Sequence, residues 1–318
     1  MVVVAEARST GVTVSLDAVV VAVTDETPKV LAVAGPSGGP PRLPSGRLEP
    51  GDRTLELALR RFVREQAGLE VGYVEQLYTF GDLRRGRSGG EVPASDGVGR
   101  LLTVAYVALV RETDPSPEAA WVDGYELYPW EDHRGGRPAL LNEVVAPVLE
   151  AWVEAAPALH RASRLERAHV TFGLGGAPWD GVRVLERYEL LYEVGLLAES
   201  DRRPPGAPAL GAAMQRDDRR IVATALGRLR GKLTYRPVVF ELLPRTFTLL
   251  QLQRLVEALS GMKLHKGNFR RLVEGAGLVE GTGSMAPTGG RPAELFRFRR
   301  EVLRERPRPG VGTPWTRT

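Results

Sequence analysis

The chain has 318 residues, of which 43% are hydrophobic and 26% charged, with a formal net charge of +4 and no cysteine. That length accommodates two ordinary cores, in two or three modules, and the composition is that of a globular protein rather than a lipid-like or disordered one. The lack of cysteine excludes disulfide stapling and thiolate metal sites. Apolar runs such as AVVVAV and LLTVAYVALV fall short of the ~20 residues that span a bilayer, so no membrane partner is expected. The opening MVVVAEARSTGVTVSL has no basic leader and meets Glu6 at once, a poor secretory signal, and a cytoplasmic location is expected.

In chain order, 12–23 and 30–34 are rich in β-branched residues and read as strands separated by the turn-like TDETPK. Over 54–67, Leu55, Leu59, Phe62 and Val63 recur at helical spacing, ended by Gly68. A further strand is expected at 101–110, giving a mixed sheet with a helix behind a glycine-bearing loop. Helices are expected at 140–155 and again across RVLERYELLYEVGLLAES, which brings Leu185, Tyr188 and Tyr192 onto one stripe. The Gly-rich TFGLGGAPWDG lacks the preceding strand and following helix of a phosphate-binding loop and reads as a plain turn. RRPPGAPALG, 202–211, reads as a linker into a basic helix, RRIVATALGRLRGKL. No internal repeat is visible.

The C-terminal part supplies two short helices around a Ser-Gly break. In the first, Leu249, Leu252, Val256 and Leu259 face one way behind an expected N-cap, Thr248; in the second, Phe269, Leu272, Val273 and Ala276 form the inward stripe. The outward face presents Gly267, Arg270, Arg271 and Glu274, with Lys266 near its start. A strand, a Gly/Pro-rich tip holding Arg291, and a second strand alternating Phe296 and Phe298 with Arg297 and Arg299 follow. This is the pattern of a helix-turn-helix with a wing; a small α+β subdomain packed on the first domain is the plainer alternative. Between Arg216 and Arg308, twenty Lys and Arg stand against nine Asp and Glu, which points to a polyanion partner, or to a solvated basic surface. For double-stranded DNA, Lys266, Asn268, Arg270 and Arg271, with His265, are the residues placed to read base edges; Thr248, Lys263 and Arg291 complete the expected contact set.

One further segment, Gly46 to Leu69, combines a glycine loop with a helix carrying Arg61, Glu65, Gly68 and Leu69. It resembles the Nudix box, in which glutamates three and four residues apart on one helical face converge on Mg²⁺ bridging a pyrophosphate. Here Phe62 and Gln66 stand where two of three glutamates belong, and the preceding loop carries one extra residue. Glu56 lies half a turn away from Glu65 and cannot replace them. Asp52 and Glu49 in the loop could approach. Glu65, four residues from Arg61, has an intrahelical ion pair as its plainest role. Hydrolysis, a catalytic residue and a resident metal are therefore not expected, although a nucleotide could still bind with its own Mg²⁺.

LYTFGDLRR followed by RLLTVAYVALV looks like the nucleotide-side strands of the NrtR group of Nudix-related transcriptional regulators. It makes Tyr78, Phe80 and Asp82 ligand-binding candidates beside Arg47, Arg61 and Glu65; as ordinary strand-end residues they would need no ligand. The stretch from RRIVATALGRLRGKL to the wing is similar to the C-terminal domain of that family, most of all its NadQ-type regulators of NAD biosynthesis. The resemblance implies a degenerate Nudix α/β/α sandwich followed by a winged helix-turn-helix. It divides the chain into a sensor at 1–156, a helical insertion and linker at 157–215, a DNA-binding domain at 216–308 and a tail at 309–318. It further implies a homodimeric repressor of NAD biosynthesis or uptake genes that binds a palindromic operator and responds to an adenine nucleotide, NAD, ADP-ribose or ATP, with no required cofactor. The alternative is an active hydrolase of ADP-ribose-like nucleoside diphosphates with an accessory C-terminal domain.

Overall fold

The computed structural model describes residues 12–81, 100–287 and 292–311. Strands β1 (Val12–Thr24) and β2 (Thr27–Val33) form a hairpin, and the six-residue turn expected between them shrinks to Asp25 and Glu26 because the ladder runs to the Thr24–Thr27 pair. β3 (Ser45–Arg47) pairs with β1, helix α1 (Leu55–Ala67) follows, and β4 (Tyr73–Phe80), β5 (Arg100–Leu109) and β6 (Ala119–Asp123) complete a mixed sheet of order β4-β5-β1-β2-β6. β1 and β5 run parallel from Val12–Arg100 to Val21–Leu109.

Because side chains alternate along a strand, β1 serves two cores. Leu16, Ala18, Val20 and Ala22 meet α1 through Ala58, Leu59, Phe62 and Val63. Val19 and Val21 face the opposite side, where a second and larger core gathers nearly everything that follows. α1 is bounded as its sequence implies: the Thr54 side chain accepts from the Leu57 N–H, and Gly68 takes the left-handed conformation that ends it, at φ 69°.

Over the other face lie α2 (Gly124–Leu127), a π-turn at 141–145 leading into α3 (Ala146–Glu154), α4 (Ala158–Phe172), α5 (Val184–Glu193) and α6 (Asp218–Leu233). Three expectations change here. α4 was not foreseen, because only Ala168, Thr171 and Phe172 near its end are buried and its first turns carry no inward stripe. α5 buries Tyr188 of the expected stripe together with Val184, Arg187, Leu190 and Leu191, while Leu185 and Tyr192 are only partly buried. The segment read as a linker, 202–211, has no buried residue and is tied down near its end, where the Leu210 N–H donates to Leu196 O and Arg219 donates to Leu210 O.

The largest difference concerns the basic helix. α6 packs against the sheet, and its Arg219, Arg230 and Lys232 are buried. Arg230 and Arg187 of α5 both grip Glu131, and all three side chains are fully buried. Arg187 makes two bonds to the carboxylate, at 2.5 and 2.9 Å, and its remaining donors meet Thr171 O and Asp180 O. Arg230 bonds Leu259 O and Gly181 O, each at 3.0 Å. Burial alone would raise the Glu131 carboxyl, but the two guanidinium charges hold it below its usual value.

Beyond α6, α7 (Leu249–Ser260), α8 (Lys266–Gly275), β7 (Val279–Ala286), β8 (Ala293–Phe298) and α9 (Val302–Glu305) build the helix-turn-helix with its two-stranded wing. Phe247 bridges to Phe296, and Phe298 stacks on Phe240 at 4.3 Å. The chain then returns, so that Val311 is buried in the larger core. One core therefore runs through both ends of the described chain, across the boundaries expected at 157 and 216.

Asp17 of β1 and Asp218 in the first turn of α6 are both buried at the sheet–helix junction, beside Arg42 and Arg216. Burial pushes Asp17 up from 3.8 to about 7 against the opposing pull of Arg216 and Arg42. A carboxyl raised on folding adds stability that is complete below its unfolded value and is lost as pH rises through the folded one. Asp17→Asn should therefore stabilise the protein relative to the parent by an amount that grows between 3.8 and about 7 and then levels off. Denaturant midpoints across that range check it; a pH-independent difference would contradict it.

Candidate effector site and nucleic-acid interface

The helix α1 and the strand β3 bring the Nudix-like residues together, but not as metal ligands. Arg61 sits among Asp52 at 3.1 Å, Glu65 at 3.4 Å and Glu49 at 3.6 Å. A guanidinium thus occupies the middle of the acids that a cation would need. The Glu49 N–H donates to Asp52, and this bond first, then Arg61, holds the Asp52 carboxyl below its usual value. Glu56 pairs with Arg60 on the opposite side of the helix, as the spacing implies.

The two residues standing in for glutamates have structural work. Phe62 is buried in the smaller core directly beneath Gly46, where a Cβ would lie 2.3 Å from its ring, so only glycine fits above it. Gln66 donates to Ser45 O at 2.7 Å and accepts from the Ser45 N–H at 3.2 Å, fastening β3 to the helix. A glutamate at 66 would keep the second bond and turn the first into a repulsion between oxygens. Among the described residues no group of three or more His, Cys, Asp or Glu is placed to hold a metal ion. The residues present therefore do not fit Mg²⁺.

The remaining ligand candidates are scattered. Arg47 is exposed at the end of β3. Tyr78 is 62% exposed and meets Phe80 edge-on at 5.4 Å, displayed by an irregularity in the β4–β5 ladder between Gln76 and Thr79. Phe80 itself is buried in the larger core with the Arg220 guanidinium 5.3 Å from its ring, so its face is already covered. Asp82 lies outside the described residues. The Gly-rich 171–181 turn is structural: it brings Trp179 over Arg187 at 3.9 Å and supplies Gly181 O to Arg230.

At the other end, α8 presents Lys266, Asn268, Arg270 and Arg271 to solvent, with the exposed His265 at its N-cap. Phe269 and Val273 are its inward residues; Leu272, expected beside them, is 46% exposed because it falls off their stripe. The arginines are not equivalent. Arg270 is paired with Glu274, Arg297 with Glu280 and Arg299 with Glu305, whereas no ion pair is formed by Lys266 or Arg271 among the described residues. Thr248 is a cap: its hydroxyl accepts from the Gln251 N–H while the Gln251 side chain accepts from the Thr248 N–H. Lys263 is bound to the buried Glu257 at 2.9 Å. Arg291 lies outside the described residues. Sequence alone could not separate the paired cations from the unpaired ones, since each acid partner except Glu274 comes from another strand or helix.

Phe62→Glu and Gln66→Glu together should not create a magnesium site. Burying a carboxylate under Gly46 should cost several kcal/mol of stability, ~3 or more, read as a lower denaturation midpoint, with no saturable Mg²⁺ binding by calorimetry. Recovery of tight Mg²⁺ binding in a stable double variant would contradict the geometry.

Comparison with known proteins gives the two halves their names. The NUDIX domain family matches residues 14–151, and the NrtR DNA-binding winged helix domain matches residues 239–298. The ADPR responsive transcriptional repressor NtrR of Acinetobacter baylyi is 38% identical over 82 residues, 26% of this chain and 33% of that protein, so the match spans a third of the relative's length. Among solved structures, Shewanella oneidensis NrtR complexed with a 27mer DNA aligns over 92% of this chain and 95% of its own, with a TM-score of 0.53 and 22% identity. A MutT/nudix family protein from Enterococcus faecalis aligns over 91% and 86%, with a TM-score of 0.52 and 16% identity. These two likenesses show a shared fold from end to end. The chain therefore carries a NUDIX domain over residues 14–151 followed by an NrtR DNA-binding winged helix domain over residues 239–298.

Proposed function

We propose that this chain is a DNA-binding transcriptional repressor whose NUDIX domain senses an adenine nucleotide without cleaving it. The observation that carries the reading is the fate of the box: Phe62 and Gln66 are spent on folding, and Arg61 neutralises the acids around it. Among the described residues, an enzyme that must polarise a diphosphate with Mg²⁺ finds no group of three or more acids or histidines placed to hold the ion. ADP-ribose is the leading effector, supported by the character of the Acinetobacter relative, with NAD and ATP as the others to test. Arg47 and Tyr78, exposed on the same domain, are the residues we propose to meet it, with Phe80 edge-on to Tyr78; Arg61, Glu65 and Asp82 belong to the same expected site.

Lys266 and Arg271, which form no ion pair among the described residues, carry the proposed phosphate and base contacts of α8, with Asn268, His265 and Arg270 beside them. The functional division at 157 and 216, a homodimer on a palindromic operator, action near NAD biosynthesis or uptake genes and a cytoplasmic location complete the proposal. Two heads bound one or more helical turns apart explain why a dimer suits a palindrome.

The test is operator binding by fluorescence anisotropy, with ADP-ribose, NAD or ATP added in the presence of EDTA, alongside an assay for AMP release with Mg²⁺. The expected result is salt-sensitive binding changed by one of the nucleotides despite EDTA, and no AMP. Lys266→Ala and Arg271→Ala should each lower the slope of log K against log salt by about one, and Arg270→Ala by less. Steady AMP release with no DNA binding would overturn the proposal in favour of the hydrolase.

A further inference from the structure

The tip of the β1–β2 hairpin belongs to the NUDIX domain, yet it ends on the helix-turn-helix. Glu26 divides its carboxylate between two cations: one oxygen is 3.1 Å from Arg254 of α7, the other 3.8 Å from Lys263 in the turn before α8. Glu26 is the only ion-pair partner of Arg254 among the described residues. Lys263 has a second, Glu257, which belongs to its own domain.

The tip is aimed rather than loose. Asp25 and Glu26 both have positive φ, 49° and 60°, a backbone conformation that non-glycine residues adopt at a cost, in a two-residue turn of the kind that suits a twisted hairpin. Arg134 donates to Glu26 O, and is itself locked by Asp132 at 2.8 and 2.9 Å and stacked over Tyr125. The Tyr125 hydroxyl in turn donates to Ala258 O of α7 at 2.5 Å. A chain of contacts therefore seats the tip on the end of α7.

Arg254 and Lys263 remain 52% and 56% exposed, so an anion from solvent can reach them. Two cations on a helix-turn-helix that meet the two oxygens of one carboxylate can also receive the two free oxygens of a phosphodiester. We propose that Glu26 is a built-in phosphate mimic: it occupies Arg254 and Lys263, and DNA backbone must displace it before those two side chains join the interface. The NUDIX domain would thereby set how many cations the head offers to DNA. This rests on the DNA-binding reading given above.

The experiment compares the full-length protein with Glu26→Gln and, as a control for net charge, Asp25→Asn, which removes the neighbouring carboxylate of the same turn. Affinity for a labelled duplex of arbitrary sequence is measured over a range of KCl. Glu26→Gln should bind about tenfold more tightly at low salt and steepen the salt slope by about one to two units, while Asp25→Asn should leave the slope unchanged. Adding Arg254→Gln should return the Glu26→Gln slope most of the way to the parent value, although Arg254→Gln alone changes little; that non-additivity is not expected of a purely structural contact. Equal slopes for Glu26→Gln and the parent, with folding verified by circular dichroism, would overturn the latch while leaving DNA binding intact. Equal steepening by both acid substitutions would show a general charge effect and overturn it too. Absence of duplex binding by every protein would instead sink the DNA-binding reading, and the latch with it.

Discussion

The structure depends on one buried carboxylate held by two arginines. Glu131 comes from the segment just after the sheet, Arg187 from the middle of the chain and Arg230 from the helix that precedes the DNA head. None is exposed to solvent. Removing such charges from water is costly, and the arrangement holds only because the guanidinium forks and neighbouring carbonyls satisfy the buried donors and acceptors. Geometry is therefore enforced: the three segments meet in one way or leave an unpaired charge in the interior. Arg230 also reaches Leu259 O, and the His133 N–H donates to Gly261 O, so the grip extends to the end of α7.

This constraint gives the middle of the chain a role that neither end has. Arg187, the Trp179 that covers it and the Gly181 carbonyl that receives Arg230 all come from it. Arg219 adds a second tie, from α6 to Glu199 and to Leu127 O. In the proposed function a nucleotide on the NUDIX domain and a duplex on α8 would sit on parts of one packed body, and the effector would act on the DNA head by biasing discrete contacts across the junction. Coupling of this kind needs only a modest preference of the ligand for one arrangement, ~1–3 kcal/mol.

The sequence was informative where chemistry is local. The glycine stop of α1, the missing glutamates at 62 and 66, the Thr248 cap and the wing's alternation are all decided by neighbours within a few residues, and the fold kept them. It misled where charge had a distant partner. RRIVATALGRLRGKL reads simply as a basic helix; its Arg219 and Arg230 are internal because Glu199 and Glu131 arrive from elsewhere along the chain. Lys263, expected to meet DNA, is bound to Glu257 six residues back, and Phe80, expected to meet a ligand, is covered by Arg220. The sequence did hold one clue to the buried ties: the inward positions of the 184–193 helix, read at 3.6 residues per turn, include an arginine between Val184 and Leu191.

The claim that the two domains are locked through Glu131 is tested most directly by chemical denaturation of Arg187→Ala, followed both by the fluorescence of the tryptophans, which cluster before residue 180 apart from Trp315, and by amide exchange of α7. The account predicts a loss of ~3–5 kcal/mol, as expected when one member of a buried ion pair is removed, with α7 losing protection before the sheet unfolds. An unchanged midpoint, with α7 as well protected as in the parent, would contradict it.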